Sequence, residues 1–159
     1  MTEFERELVR SFNISFERNQ IDGIAYRIKQ HRFSSQPLDV LVDSLNPDYY
    51  LGIECKSIST KKGANALYFT QHFSTDKNGT HQLERIDEFL KKSGRTGFLA
   101  IELRRGTGKP REAYILKWSK LKKRYDDDSV GFTVDELMEL PQIGRDGTDY
   151  VIDPQLWRR

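Results

Sequence analysis

The chain is poor in residues that would staple it, anchor it or charge it strongly. Cys55 is the only cysteine in 159 residues, so no intramolecular disulfide can form and no cysteine-based zinc cluster can assemble within one chain. His31, His72 and His81 are too scattered to suggest a zinc site. No apolar run approaches the roughly 20 residues needed to span a bilayer, and the acidic, polar N-terminus lacks a secretory pattern. The expectation is a cytoplasmic protein with no membrane association, in which Asn13 and Asn78 match a glycosylation pattern by chance. Charge of one sign is also scarce: 26 Lys and Arg against 24 Asp and Glu leave +2, which alone does not announce a nucleic-acid protein. Gly106-x-Gly108-Lys109-Pro110 lacks the full phosphate-loop pattern, which argues against nucleotide binding there.

What is present suits one α/β domain over residues 1–159, with a core over about 2–120 and a C-terminal extension at 121–159. Phe4, Leu8 and Phe12 recur at a spacing of four, with Val9 and Phe16 extending the stripe, so residues 2–18 read as an amphipathic helix. Thr2 followed by Glu5 matches a capping box. Strands are expected over 24–29, 38–43, 49–58, 97–103 and 113–118. Residues 63–79 read as a long loop of the kind that is functional or mobile. A second helix starts at an N-cap Thr80 and ends at Gly94, and Thr133 with Glu136 offers a capping box for a short third helix. The remainder of the tail looks irregular.

The chemistry-bearing constellation lies in the hairpin of strands 38–43 and 49–58. Side chains alternate across a strand, so Glu54 and Lys56 share one face while Ile53 and Cys55 take the other, and Asp39 points away from Leu38 and Val40. If the hairpin turns about the Asn46-Pro47 peptide, Asp39 and Glu54 directly oppose one another, about 4.5 to 5.5 Å apart at Cβ. Two carboxylates that close repel unless a cation lies between them, and Mg²⁺ with oxygen ligands is a natural solution. Such an ion can polarise a phosphodiester and lower the pKa of water, with Lys56 beside the attacking water and the Cys55 carbonyl as a further ligand. The competing reading is an exposed charge pair, because Glu-x-Lys is common. The apolar Val, Leu and Ile around these acids count against it.

These residues resemble the PD-(D/E)-x-K nuclease superfamily, with Pro37-x-Asp39 as the first half of the signature and Glu54-Cys55-Lys56 as the second. The wider pattern is similar to its Holliday junction resolvases, of the archaeal type and the bacterial RecU type. The helix Phe4-Glu5-Arg6-Glu7-Leu8-Val9-Arg10 is similar to the archaeal enzymes, which implies that Glu5 completes a metal site. Ser34-Ser35 resembles the serine ahead of the catalytic aspartate, carried over to Ser35, and His81-Gln82 is similar to the opening of the RecU helix, placing Gln82 near the site. The segment 60–79 is closer to RecU than to the compact archaeal enzymes. The resemblance covers about residues 2–120.

It implies a restriction-endonuclease-like fold with a central mixed sheet flanked by helices. It implies Mg²⁺ as cofactor with Mn²⁺ able to substitute, a branched double-stranded DNA substrate, a homodimer making paired cuts, and a prokaryotic or viral source. Since restriction and repair nucleases share the signature, a duplex-cutting nuclease remains an alternative, as do a non-catalytic DNA-binding module and a protein-interaction domain. Arg6, Arg10, Lys61 and Lys62 are the expected phosphate contacts. Tyr68, Phe69 and Phe73 fit either a base-stacking wedge or core packing, and Trp118 and Trp157 are assigned to packing.

Overall fold

The computed structural model describes residues 2–28 and 38–158. Helix α1 (Glu3–Arg18) starts where the Thr2 hydroxyl accepts the Glu5 N–H at 3.2 Å. The other half of the expected capping box does not form, because the Glu5 carboxylate takes Arg27 instead. Strands β1 (Gly23–Arg27), β2 (Val40–Ser44) and β3 (Leu51–Ser59) follow as an antiparallel meander. Pro47–Tyr49 forms a 3-10 turn between the last two, so the hairpin connection is longer than a tight turn.

Residues 63–79 hold more structure than their composition suggests. Strand β4 (Ala66–Tyr68) and the one-turn helix α2 (Phe69–His72) lie inside this segment. Helix α3 (Gln82–Ser93) then begins one residue later than expected, since His81 Nδ1, not Thr80, accepts the Leu83 N–H at 3.1 Å. Gly94 ends it with φ of 75°, the left-handed cap that glycine adopts without penalty. Strands β5 (Thr96–Arg104) and β6 (Glu112–Lys117) follow, then helix α4 (Trp118–Asp126) over the basic segment.

The tail is ordered, including the part after the expected short helix that looked irregular. It carries β7 (Gly131–Thr133), α5 (Val134–Met138) with the full Thr133–Glu136 capping box, β8 (Gln142–Ile143), and a small hairpin of β9 (Arg145–Asp146) and β10 (Asp149–Tyr150). The central sheet runs β1-β2-β3-β5-β6-β8, with β3 and β5 parallel and its other pairs antiparallel, while β7 pairs with β4 outside it. The β4–β7 pair brings together segments far apart in sequence, so no local pattern announced it. Gly131 makes the close approach possible, because a Cβ there would collide with the Leu67 carbonyl.

Two apolar layers cover the sheet. On one face α1 seats Phe4, Leu8, Phe12 and Phe16 against Val40, Ile53, Phe98 and Ile115, with Tyr150 and Trp157 of the tail closing the layer. On the other, Leu83, Ile86 and Leu90 of α3 meet Leu99, Ile101 and Leu103, joined by Phe69, Phe73, Phe132 and Leu137. Burial on both faces explains the nearly continuous apolar runs of the parallel pair β3 and β5. Gly97 lets α3 lie close, since a side chain there would strike Leu90. No helix of the described residues is long and apolar enough to cross a membrane.

Candidate active site

Strand β3 is the spine of the site. Ile53 and Cys55 enter the α1 layer, so alternation turns Glu54 and Lys56 toward the α3 side. The β2–β3 register pairs Val40 with Ile53, which brings Asp39, just ahead of β2, directly opposite Glu54. This is the pairing the Asn46-Pro47 centre implies, although Asp39 precedes the strand. Its backbone stays in place because Asp39 N–H donates to the Ile53 carbonyl at 3.2 Å and Cys55 N–H donates to Asp39 Oδ2 at 2.9 Å.

Glu54 is 3% exposed. Burial, and then the neighbouring carboxylate of Asp39, push its pKa well above the usual carboxylate value, while Lys56 opposes the shift. Lys56 Nζ stands 3.4 Å from Glu54 Oε2 and 4.6 Å above the centre of the Phe73 ring. Gln82, the first residue of α3, donates from Nε2 to the same oxygen at 2.7 Å. Ser74 N–H donates to Gln82 Oε1 at 3.1 Å, which orients the amide with its donor toward the acid. The structure thus gathers Asp39, Glu54, Lys56 and Gln82 at one place. Burial pushes the Cys55 thiol up, with the charges of Asp39, Glu54 and Glu5 adding to it.

Glu5 approaches β3 from the α1 side, and its carboxylate accepts Arg27 Nε at 2.9 Å. Among the described residues no three Asp, Glu, His or Cys side chains converge on one point, so the acidic pair Asp39–Glu54 is the compact donor set. Its chemistry fits a hard divalent cation. Two adjacent carboxylates, one buried and forced toward its neutral form, are short of positive charge, and oxygen donors of this kind suit Mg²⁺. Ser35 and its neighbours Ser34, Pro37 and His31 lie outside the described residues.

Of the expected phosphate contacts, Arg6, Lys61 and Lys62 are exposed. Arg10 is committed to the tail, through Asp149 Oδ1 and the Thr148 carbonyl, each at 3.2 Å. Phe69 is not a wedge. It packs edge-on against Tyr125 and Phe132 in the core, because α4 and β7 cover the segment that looked like an open loop. Tyr68 is half-buried, stacks on His72 and donates to Asn65 Oδ1 at 3.1 Å. The sequence reading missed Arg27 and Ser74. Both act through partners in other elements, and neither belongs to a motif that could have marked it.

No protein-family model matches the chain, and no curated protein sequence matches it. Among solved structures the fold is similar to that of Hjc from Archaeoglobus fulgidus, a Holliday junction resolvase from an archaeal hyperthermophile. The two share 14% identity at a TM-score of 0.50, over 86% of this chain and 94% of that one. At this identity the likeness is one of fold: an α/β domain whose central mixed sheet is flanked by helices, carrying Asp39, Glu54 and Lys56 where β2 and β3 meet.

Proposed function

We propose that this protein is a Mg²⁺-dependent DNA endonuclease that cuts branched DNA, in the manner of a Holliday junction resolvase. The observation that carries the reading is Glu54, a buried carboxylate beside a second carboxylate with one lysine 3.4 Å away. A fold that keeps such a charge deficit pays in stability for something other than stability. The fold likeness to a resolvase supports the choice of substrate.

Asp39 and Glu54 would hold the ion, with Glu5 and the Cys55 carbonyl as further oxygen donors at the same stretch of β3. When bound, Mg²⁺ supplies positive charge to the phosphodiester and makes water more acidic, and Mn²⁺ fits the same donors. Lys56 orients the attacking water with its ammonium and stabilises the charge that builds on the phosphate oxygens as one P–O bond forms and another breaks. Gln82 keeps Glu54 in one rotamer, and Cys55 N–H does the same for Asp39. Arg6, Lys61 and Lys62 meet the DNA backbone. Paired cuts across a four-way junction call for a twofold-symmetric homodimer.

The test is incubation of a labelled four-way junction and a matched linear duplex with Mg²⁺, using wild type, Asp39→Asn and Glu5→Gln. Junction cleavage by wild type, lower by about 10³-fold in Asp39→Asn, is the expected result. Equal cleavage by wild type and Asp39→Asn would remove the site, and preference for linear duplex would remove the junction assignment.

A further inference from the structure

The chain between α2 and α3 turns back on itself. Ser74 and Gln82 are joined twice, since Ser74 N–H donates to Gln82 Oε1 at 3.1 Å and Gln82 N–H donates to the Ser74 carbonyl at 2.7 Å. Thr75 pairs with His81 in an antiparallel bridge, and Asp76 N–H donates to the Thr80 carbonyl at 2.9 Å. Asp76 Oδ1 closes the tip by accepting the N–H groups of Asn78 and Thr80 at 2.9 Å each. Phe73 stands at the foot of this hairpin, fixed on one side as the residue that ends α2 and on the other by the Ser74–Gln82 pair.

Phe73 is buried, yet one contact of its ring goes beyond core packing. Lys56 Nζ lies 4.6 Å above the ring centre. Among the described residues, this ring and Glu54 Oε2, at 3.4 Å, are what the ammonium meets. A ring face attracts a cation without a directed hydrogen bond, most strongly where water is scarce, and Lys56 keeps only 19% of its side chain open. The ring therefore holds the ammonium in place and leaves its N–H groups for water and phosphate oxygens. Glu54 is a weaker anchor during the reaction, because its pull on Lys56 falls once its charge is neutralised, whereas the pull of the ring does not.

We propose that Phe73 is a positioning residue for the cleavage reaction. Its ring fixes the Lys56 ammonium, and its peptide link to Ser74 ties that position to the Gln82 amide that holds Glu54 at 2.7 Å. One two-residue step of the chain thus sets the lysine against the carboxylate. The inference rests on the nuclease reading of Glu54.

The test compares wild type, Phe73→Leu, Lys56→Ala and the double variant, measuring single-turnover cleavage of a labelled four-way junction beside junction affinity. Phe73→Leu keeps an apolar side chain and removes the ring face. Its cleavage rate per folded molecule is expected to fall about tenfold with affinity unchanged, the loss of one desolvated contact between cation and ring. In the Lys56→Ala background the same substitution is expected to cost no further rate, because the group it acts through has gone. A second readout needs neither metal nor DNA. The protons on the Lys56 carbon next to Nζ are expected to resonate upfield in wild type, shielded by the ring, and to move to the ordinary lysine position in Phe73→Leu.

Equal cleavage rates for wild type and Phe73→Leu overturn the inference. A tenfold loss that persists in the Lys56→Ala background also overturns it, since Phe73 then acts through the core alone. Ordinary Lys56 proton shifts in wild type overturn it as well, and that measurement stands even where Phe73→Leu does not fold. Wild type that cuts no DNA at all sinks the nuclease reading itself, a distinct failure that takes the inference with it.

Discussion

Glu54 and Glu102 are both buried acids on the central parallel strands, but they face opposite sides of the sheet and are treated in opposite ways. Glu102, 0% exposed on the α1 side, accepts Ser57 Oγ at 3.0 Å, Arg104 Nε at 2.7 Å and Arg111 Nη1 at 3.3 Å. Arg111 also meets Glu7 at 3.0 Å and Glu3 at 3.5 Å, and Arg145 meets Glu7 at 2.8 Å. Three carboxylates are thus balanced by three guanidiniums. Among the described residues Glu54 has a single lysine and a competing carboxylate beside it, and its pKa is pushed up by burial and by Asp39. Burial of an acid therefore does not mark a site, whereas burial without enough counter-charge does.

The largest expected effect on this contrast comes from Lys56→Ala, which removes the cation that pairs with Glu54 among the described residues. Cleavage should fall about 10²- to 10³-fold while junction affinity barely moves, as single-turnover rates and binding isotherms would show. A loss confined to affinity would make Lys56 an ordinary phosphate contact.

The balanced side should respond in stability instead. Glu102→Gln takes the charge partner from Arg104 and one of three from Arg111, both partly exposed, so the cost is about 2 kcal/mol in denaturant unfolding. An unchanged unfolding midpoint would show that the network contributes little.

A smaller effect distinguishes the two sides by pH. Because the native pKa of Glu54 is raised, the folded state holds this proton more tightly than the unfolded chain does. Nothing is lost below the ordinary value of 4.5, and a penalty grows as pH rises through the raised native value. Without divalent cation, wild type should therefore lose stability relative to Glu54→Gln as pH rises from 4.5 toward neutrality. Mg²⁺ at tenfold its Kd should return about 1.4 kcal/mol to wild type alone. Parallel pH curves for the two proteins would contradict the charge deficit. The smallest effect is expected from Lys62→Ala, a lowering of the salt slope of DNA binding by ~0.9.

Much of this contrast was legible in the sequence on one side and little on the other. Asp39, Glu54 and Lys56 lie in one hairpin, where alternation and a symmetric register operate over a short stretch of chain, and the structure reproduces the register. Helix α1 was equally readable from its repeating phenylalanines. Phe69 was not, because nothing near it in sequence distinguishes a wedge from a core residue, and its partners Tyr125 and Phe132 come from the tail. The tail itself looked irregular because its strands are two or three residues long and owe their order to Ser11, Asp48 and the α1 layer. Arg27 and Ser74 escaped for the same reason: a polar side chain or amide reveals a partner in sequence only when that partner is local.

The comparison is tested most directly by one measurement, the Mg²⁺-dependent junction cleavage rate per folded molecule for Glu54→Gln and Glu102→Gln side by side. The account predicts that Glu54→Gln is folded, at least as stable as wild type without metal, and slower by about 10³-fold, while Glu102→Gln is less stable and cuts at the wild-type rate. Cleavage by Glu54→Gln at the wild-type rate, or equal losses in both variants that follow their stabilities, would contradict it.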